Sequence, residues 1–214
     1  MKQEYPKIVV FDALDTIQGY KGALPGQSKR FYQERIAQAA GMNLEEFLQK
    51  VPYDVQLWMA YFEQQKGNLE PVMLPGAEEI IRYFLRTGYQ PIVVTADIPE
   101  SALNTMKPFT DLGLIDPMNV YAINCLGSKK KTSTWKQAQE KHFPQGEPKV
   151  VFEDTEANLA AAMEAYHCGG YLVDNSLHNN CNHPISNFFL VQVGTFKCMK
   201  GDLQSIHHNI SWDC

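Results

Sequence analysis

Apolar residues along this chain follow two rhythms. Short unbroken runs at 8–11, 91–95, 120–123, 149–152 and 171–173 have the length and Val/Ile content of strands buried on both faces. Between the later runs, apolar residues recur three and four apart. Pro75 and Gly76 open a helix with Ala77, Ile80, Ile81, Phe84 and Leu85 on one face, and Gly88 ends it. Residues 133–143 read as another helix, and Leu159, Ala162, Met163 and Tyr166 mark a third. Strands alternating with helices predict an α/β fold with a parallel sheet and right-handed crossovers.

One segment breaks this alternation. From about 19 to 73 the pattern is mostly helical: Phe31, Ile36, Ala39 and Ala40 before Gly41, then Leu44, Phe47 and Leu48 behind an Asn43 N-cap, then Leu57, Trp58, Tyr61 and Phe62. That is too long for an ordinary crossover between two adjacent strands. It predicts an inserted helical subdomain, 19–73, in a core made of 1–18 and 74–214. The tail from Asn175 is irregular, and a strand-like stretch at 188–193 has no evident place. There is no internal repeat.

Composition narrows the class. A length of 214 residues with 44% hydrophobic and 20% charged content suits one globular unit with an insertion. A net charge of -5 argues against a nucleic-acid footprint. No apolar run approaches the roughly 20 residues that span a membrane. Met1 to Pro6 lead straight into the first strand, with no room for a signal peptide. Five scattered cysteines suit free thiols and a cytoplasmic location better than a disulfide framework.

The chemistry gathers where strands end. The first run stops in acid, Phe11-Asp12-Ala13-Leu14-Asp15-Thr16; the second ends at Thr95-Ala96. Lys129-Lys130-Lys131 precedes a helix, and the fourth run ends at Glu153-Asp154. Carboxyl ends of parallel strands are where open α/β sheets place their sites. A carboxylate there can be a nucleophile or a metal ligand.

Taken in this order, these four stretches resemble the four motifs of the haloacid dehalogenase-like (HAD) superfamily, over residues from about 7 to 174. Leu74-Pro75-Gly76-Ala77, and Phe152-Glu153-Asp154-Thr155 followed by Asn158, also fit that pattern. The resemblance implies a Rossmann-like sheet with 19–73 as a helical cap. It implies a Mg²⁺-dependent hydrolase acting on a small phosphorylated substrate through an aspartyl-phosphate at Asp12. Mg²⁺ would sit on Asp12, the Leu14 carbonyl, and Asp154 or Glu153, all oxygen donors that suit a hard cation. Thr95 would donate to a phosphoryl oxygen, and Thr16 and Ala96 would lie against the substrate. One lysine would offset the charge, with Lys129 favoured by the spacing to Trp135 and Ala138, and Lys131 as the alternative.

Leu14 departs from the pattern, because phosphatases of the superfamily carry a second aspartate there as general acid and base. Such help is worth about 10²–10⁴-fold. Three readings follow: a phosphatase that is slow or restricted to good leaving groups, a dehalogenase- or phosphonatase-type member, or a catalytically silent binding protein. Asp12-Ala13-Leu14-Asp15-Thr16 is close to the D-A-Y-G-T of the metal-free dehalogenases, and Lys50 is the nearest candidate for a phosphonatase Schiff base. His178, Cys181 and His183 read as a polar loop rather than a zinc site, and His207-His208 as a solvated pair.

Overall fold

The structure is a computed structural model that describes residues 5–24, 26–51, 60–61, 64–65, 69–174 and 189–192. Its centre is a six-stranded sheet. The strands are β1 (Lys7–Phe11), β4 (Gln90–Thr95), β5 (Val120–Ala122), β6 (Glu147–Glu153), β7 (Gly169–Asp174) and β8 (Phe189–Gln192), in the spatial order β5-β4-β1-β6-β7-β8. The first five strands in that order run parallel, and β8 closes the edge antiparallel to β7. The strand-like stretch without a place is therefore an edge strand. Successive strands step outward from β1 on one side, then resume on the other at β6. That reversal opens a crevice at the carboxyl ends of β1, β4 and β6.

The strands form where they do because their residues are apolar on both faces. Val9, Val10, Phe11, Ile92, Val93, Val94, Val150, Val151 and Phe152 are all fully buried. Helices α3 (Ala77–Arg86), α4 (Pro99–Thr105), α5 (Lys107–Thr110), α6 (Thr132–His142) and α7 (Glu156–Tyr166) fill the connections. The stripe of α3 is the one its spacing predicts: Ala77, Ile80, Ile81 and Phe84 are buried. Phe84 meets Phe11 and Phe152 edge-on at 6.2 and 5.7 Å, and Phe152 stacks between Phe11 and Tyr171 at 4.9 and 5.0 Å. This aromatic row braces the strand ends immediately before Asp12 and Glu153. On α7, Leu159 and Met163 crowd Gly170 of β7; a Cβ there would lie 2.6 Å from Leu159 Cδ1.

The segment after β1 carries strands at its two ends as well as helices. Gln18–Tyr20 (β2) and Pro71–Met73 (β3) pair antiparallel, so Gly19, Tyr20 and 71–73 are strand, not helix. Three-residue strands carry too little periodicity to read, and here a partner some fifty positions away defines them. Between them lie α1 (Ser28–Ala39) and α2 (Leu44–Lys50), the latter capped by the Asn43 side chain on the Glu46 amide at 2.9 Å. These elements hold a second apolar cluster of Tyr20, Ile36, Ala37, Phe47, Val51 and Leu69, with Leu14, Tyr32 and Tyr61 packed against it. Leu57, Trp58 and Phe62, and the His178–His183 and His207-His208 stretches, lie outside the described residues. Among the described residues, no helix is long and apolar enough to cross a membrane.

Candidate active site

The Asp12 amide donates to the Phe152 carbonyl at 2.9 Å, which carries the β1–β6 pairing one residue past β1 and holds Asp12 beside Glu153. The chain then turns sharply, with the amides of Thr16, Ile17 and Gln18 converging on the Ala13 carbonyl. Asp15 takes a left-handed conformation, φ 60°, which Asp tolerates better than most residues. Its buried carboxylate accepts from the Ser28 and Lys29 amides at 3.0 and 3.3 Å, so it caps the start of α1.

Lys129 lies at the centre of the charge arrangement. Its ammonium, 5% exposed, bonds Asp12 Oδ1 at 2.5 Å and ion-pairs with Glu153, which has no exposed surface. Burial pulls the pKa of this lysine down, but the two carboxylates more than offset that, and it stays a cation. Trp135 supports it from below, with its ring 5.0 Å from the ammonium and its indole N–H on the Lys129 carbonyl at 2.6 Å. Glu153 also accepts from the Thr155 amide and from Asn158. Burial, then repulsion from Asp12, holds Glu153 above the usual carboxylate range despite Lys129. Asp154 keeps solvent access, and burial of its carboxyl followed by repulsion from Asp12 pushes it up to about 6.

Asp12, Leu14, Thr95, Ala96, Lys129 and Asp154 line one cavity of about 330 Å³, large enough for a small substrate. Carboxylate oxygens of Asp12, Glu153 and Asp154 lie within 4.8 Å of one another. This is an all-oxygen donor set that fits a hard divalent cation such as Mg²⁺.

Other candidates fall elsewhere. Lys131 is exposed, in the N-cap position just before α6. Thr16 is fully buried and does not line the cavity; its hydroxyl donates to Asp12 Oδ2 at 3.2 Å, so it orients Asp12. Of the alternative acids, Asp154 lines the cavity and Glu153 does not. Lys50 is exposed, paired with Glu46 at 2.5 Å and away from the cavity.

The sequence reading missed Asp15 as a cap of α1, Trp135 as a support, and Asp97. Asp97 follows Thr95-Ala96 and lines the cavity. Its carboxylate accepts from the Ile98 amide at 2.9 Å and the Ser101 hydroxyl at 2.7 Å. The legible signal was Asp97-Ile98-Pro99, an acid at a strand end with proline opening the next helix.

No protein-family model matches the chain, and no curated protein does. Solved structures do. A HAD hydrolase, family IA, variant 3, from Entamoeba histolytica has a TM-score of 0.57 at 12% identity, over 82% of this chain and 91% of that one. CbbY from Rhodobacter sphaeroides, solved with phosphate, has a TM-score of 0.55 at 12% identity, over 83% and 90%. UTR4 protein from Saccharomyces cerevisiae has a TM-score of 0.53 at 13% identity, over 84% and 96%. The chain has the HAD-like α/β fold.

Proposed function

We propose that this protein is a HAD-like hydrolase that cleaves phosphoesters through Asp12, with 19–73 as a cap over the site. The supporting observation is the convergence of Asp12, Thr95, Lys129 and Asp154 on one cavity at the carboxyl ends of β1, β4 and β6. Asp12, the Leu14 carbonyl and Asp154 would hold Mg²⁺, which when bound offsets repulsion between the Asp12 carboxylate and an anionic phosphoryl group. Glu153 holds Lys129 and the Thr155 turn in place. Asp12 attacks phosphorus in line and the ester oxygen leaves, forming an aspartyl-phosphate that water then hydrolyses. Thr16 keeps the Asp12 carboxylate oriented. Thr95 donates to a phosphoryl oxygen, and Lys129 balances charge shared by Asp12 and the phosphoryl group.

Leu14 places no proton donor beside the leaving oxygen, so the reading favours substrates whose leaving group needs little protonation. The acid cluster favours the metal-dependent reading over the metal-free dehalogenase type, and the position of Lys50 removes its support for a phosphonatase type.

The test compares the parent with Asp12→Asn on an activated aryl phosphate, with and without chelator. The parent should turn over, chelator should suppress it, and Asp12→Asn should show only background. Leu14→Asp should raise turnover of an ester with a poor leaving group more than that of the aryl ester. Equal rates for parent and Asp12→Asn would overturn the hydrolase reading and leave a binding protein.

A further inference from the structure

The wall of the cavity beyond Thr95 carries a different chemistry from its floor. Tyr20 and Tyr32 stack there with ring centroids 6.2 Å apart and planes at 20°, and Asp97 lines the same cavity. Asp97 lies close enough to both rings that its charge, after burial, helps raise both phenol pKa values. Burial likewise pushes the Asp97 carboxyl up, against the pull of its hydrogen bonds from Ser101 and Ile98. Among the described residues, no lysine, arginine or histidine forms an ion pair with Asp97. Lys129 is committed to Asp12 and Glu153, and Lys29 is exposed.

A half-buried carboxylate without a cation is costly, and a cation that arrives with a ligand relieves that cost. Aromatic faces beside a carboxylate are the recurring recognition set for alkylammonium groups. Charge balance points the same way. The cavity lining carries Asp12, Asp15, Asp97 and Asp154 against Lys29 and Lys129. A divalent cation at the floor would answer the phosphate and Asp12, yet leave Asp97 unpaired at the wall.

We infer that Asp97, Tyr20 and Tyr32 form a subsite for an ammonium group, so that the substrate is a phosphoester of an amino alcohol. This rests on the phosphoester reading for the other end of the substrate. Asp97 supplies the counter-charge, the two rings supply π-faces, and Ser101 and the Ile98 amide hold the carboxylate in place.

The probes are phosphocholine and 3,3-dimethylbutyl phosphate, which have the same shape but only one of which carries the cation. Binding is measured by calorimetry on Asp12→Asn with Mg²⁺, where no turnover consumes the ligand. Phosphocholine should bind at least about tenfold tighter. Asp97→Asn in the same background should reduce that preference to about twofold or less. Tyr32→Phe should keep the preference, and Tyr32→Leu should lower it. Equal affinity for the two probes overturns the subsite, and so does a preference that survives Asp97→Asn in a folded protein. The comparison of probes needs no change at Asp97, so a poorly folded variant leaves it intact. Aryl phosphate turnover by the parent tests the hydrolase reading separately. A charge preference without turnover would keep the subsite and remove the hydrolysis.

Discussion

Replacing Lys129 with methionine removes the one cation held between two buried carboxylates, while keeping a chain of similar reach over Trp135. Asp12 is 8% exposed and Glu153 is 0%, and oxygens of the two lie within the same 4.8 Å cluster. Breaking a buried pair by removing one partner costs about 3–5 kcal/mol, because the remaining charge is stranded. In a domain of this size each kcal/mol moves the midpoint by about 2–4 °C, so Lys129→Met should melt roughly 6–20 °C below the parent. Both are measured in chelator at pH 7, since a bound divalent cation would take over part of the lysine's role. The double variant Lys129→Met/Glu153→Gln should regain about half the loss or more. The glutamine carbonyl can still accept from the Thr155 amide and Asn158, and one of the two buried carboxylates is gone. The deficit of Lys129→Met should also shrink in acid, as the stranded carboxyls take up protons. A single variant within about 1 kcal/mol of the parent, or a double variant no better than the single, would refute the ion triad as a structural centre.

Asp15→Ala removes the acceptor at the start of α1 and puts alanine at a left-handed position, which together should cost about 2–3 kcal/mol in urea unfolding. Asp15→Asn should cost less than half as much, and hydrogen exchange should show the lost protection in α1 rather than in β1 and β4. For Asp97, burial raises the native carboxyl above its ordinary 3.8, so the unfolded chain releases its proton first and stability falls as pH rises above that value. Asp97→Asn removes this term, so in urea unfolding it should gain on the parent from pH 4 to pH 7; a constant or opposite difference would count against the burial.

The sheet was legible because its strands are apolar on both faces, and such runs leave few alternatives at this length. Helix α3 was legible from its spacing and from Gly88. The candidate site was legible as a place where strands end in acid, at Asp12 and at Glu153-Asp154, which the fold brings together. What sequence could not divide was labour within each stretch. Lys129 and Lys131 are two apart, and only the turn into α6 decides that one is buried and the other solvated. Glu153 and Asp154 are adjacent, but Glu153 ends β6 and pairs with Lys129, while Asp154, one residue past the strand, lines the cavity. Thr16 resembled a substrate contact because it sits four positions from Asp12, but the turn after β1 folds it behind the carboxylate. Strands β2 and β3 were illegible because each is defined by the other.

Leu14 joins these levels. Its side chain packs against the cluster held by α1 and α2, while the neighbouring Asp15 grips the first turn of α1. Two consecutive residues after Asp12 therefore tie the floor of the cavity to the segment that carries Tyr20 and Tyr32. An aspartate at 14 would bring a carboxylate to the edge of an apolar cluster and loosen that tie, so the gain in proton transfer and the loss in packing come from one substitution. Turnover and stability of Leu14→Asp must accordingly move in opposite directions if Leu14 is a link between site and insertion. If a leucine merely stood in a tolerant gap, turnover would rise with no loss of stability. The pairing of Leu14 with Asp15 also explains how the chain can lack an acidic side chain at position 14 yet keep a formed cavity. The shape of the cavity depends on the tie, and under the proposed hydrolase reading the rate would depend on what the tie displaces.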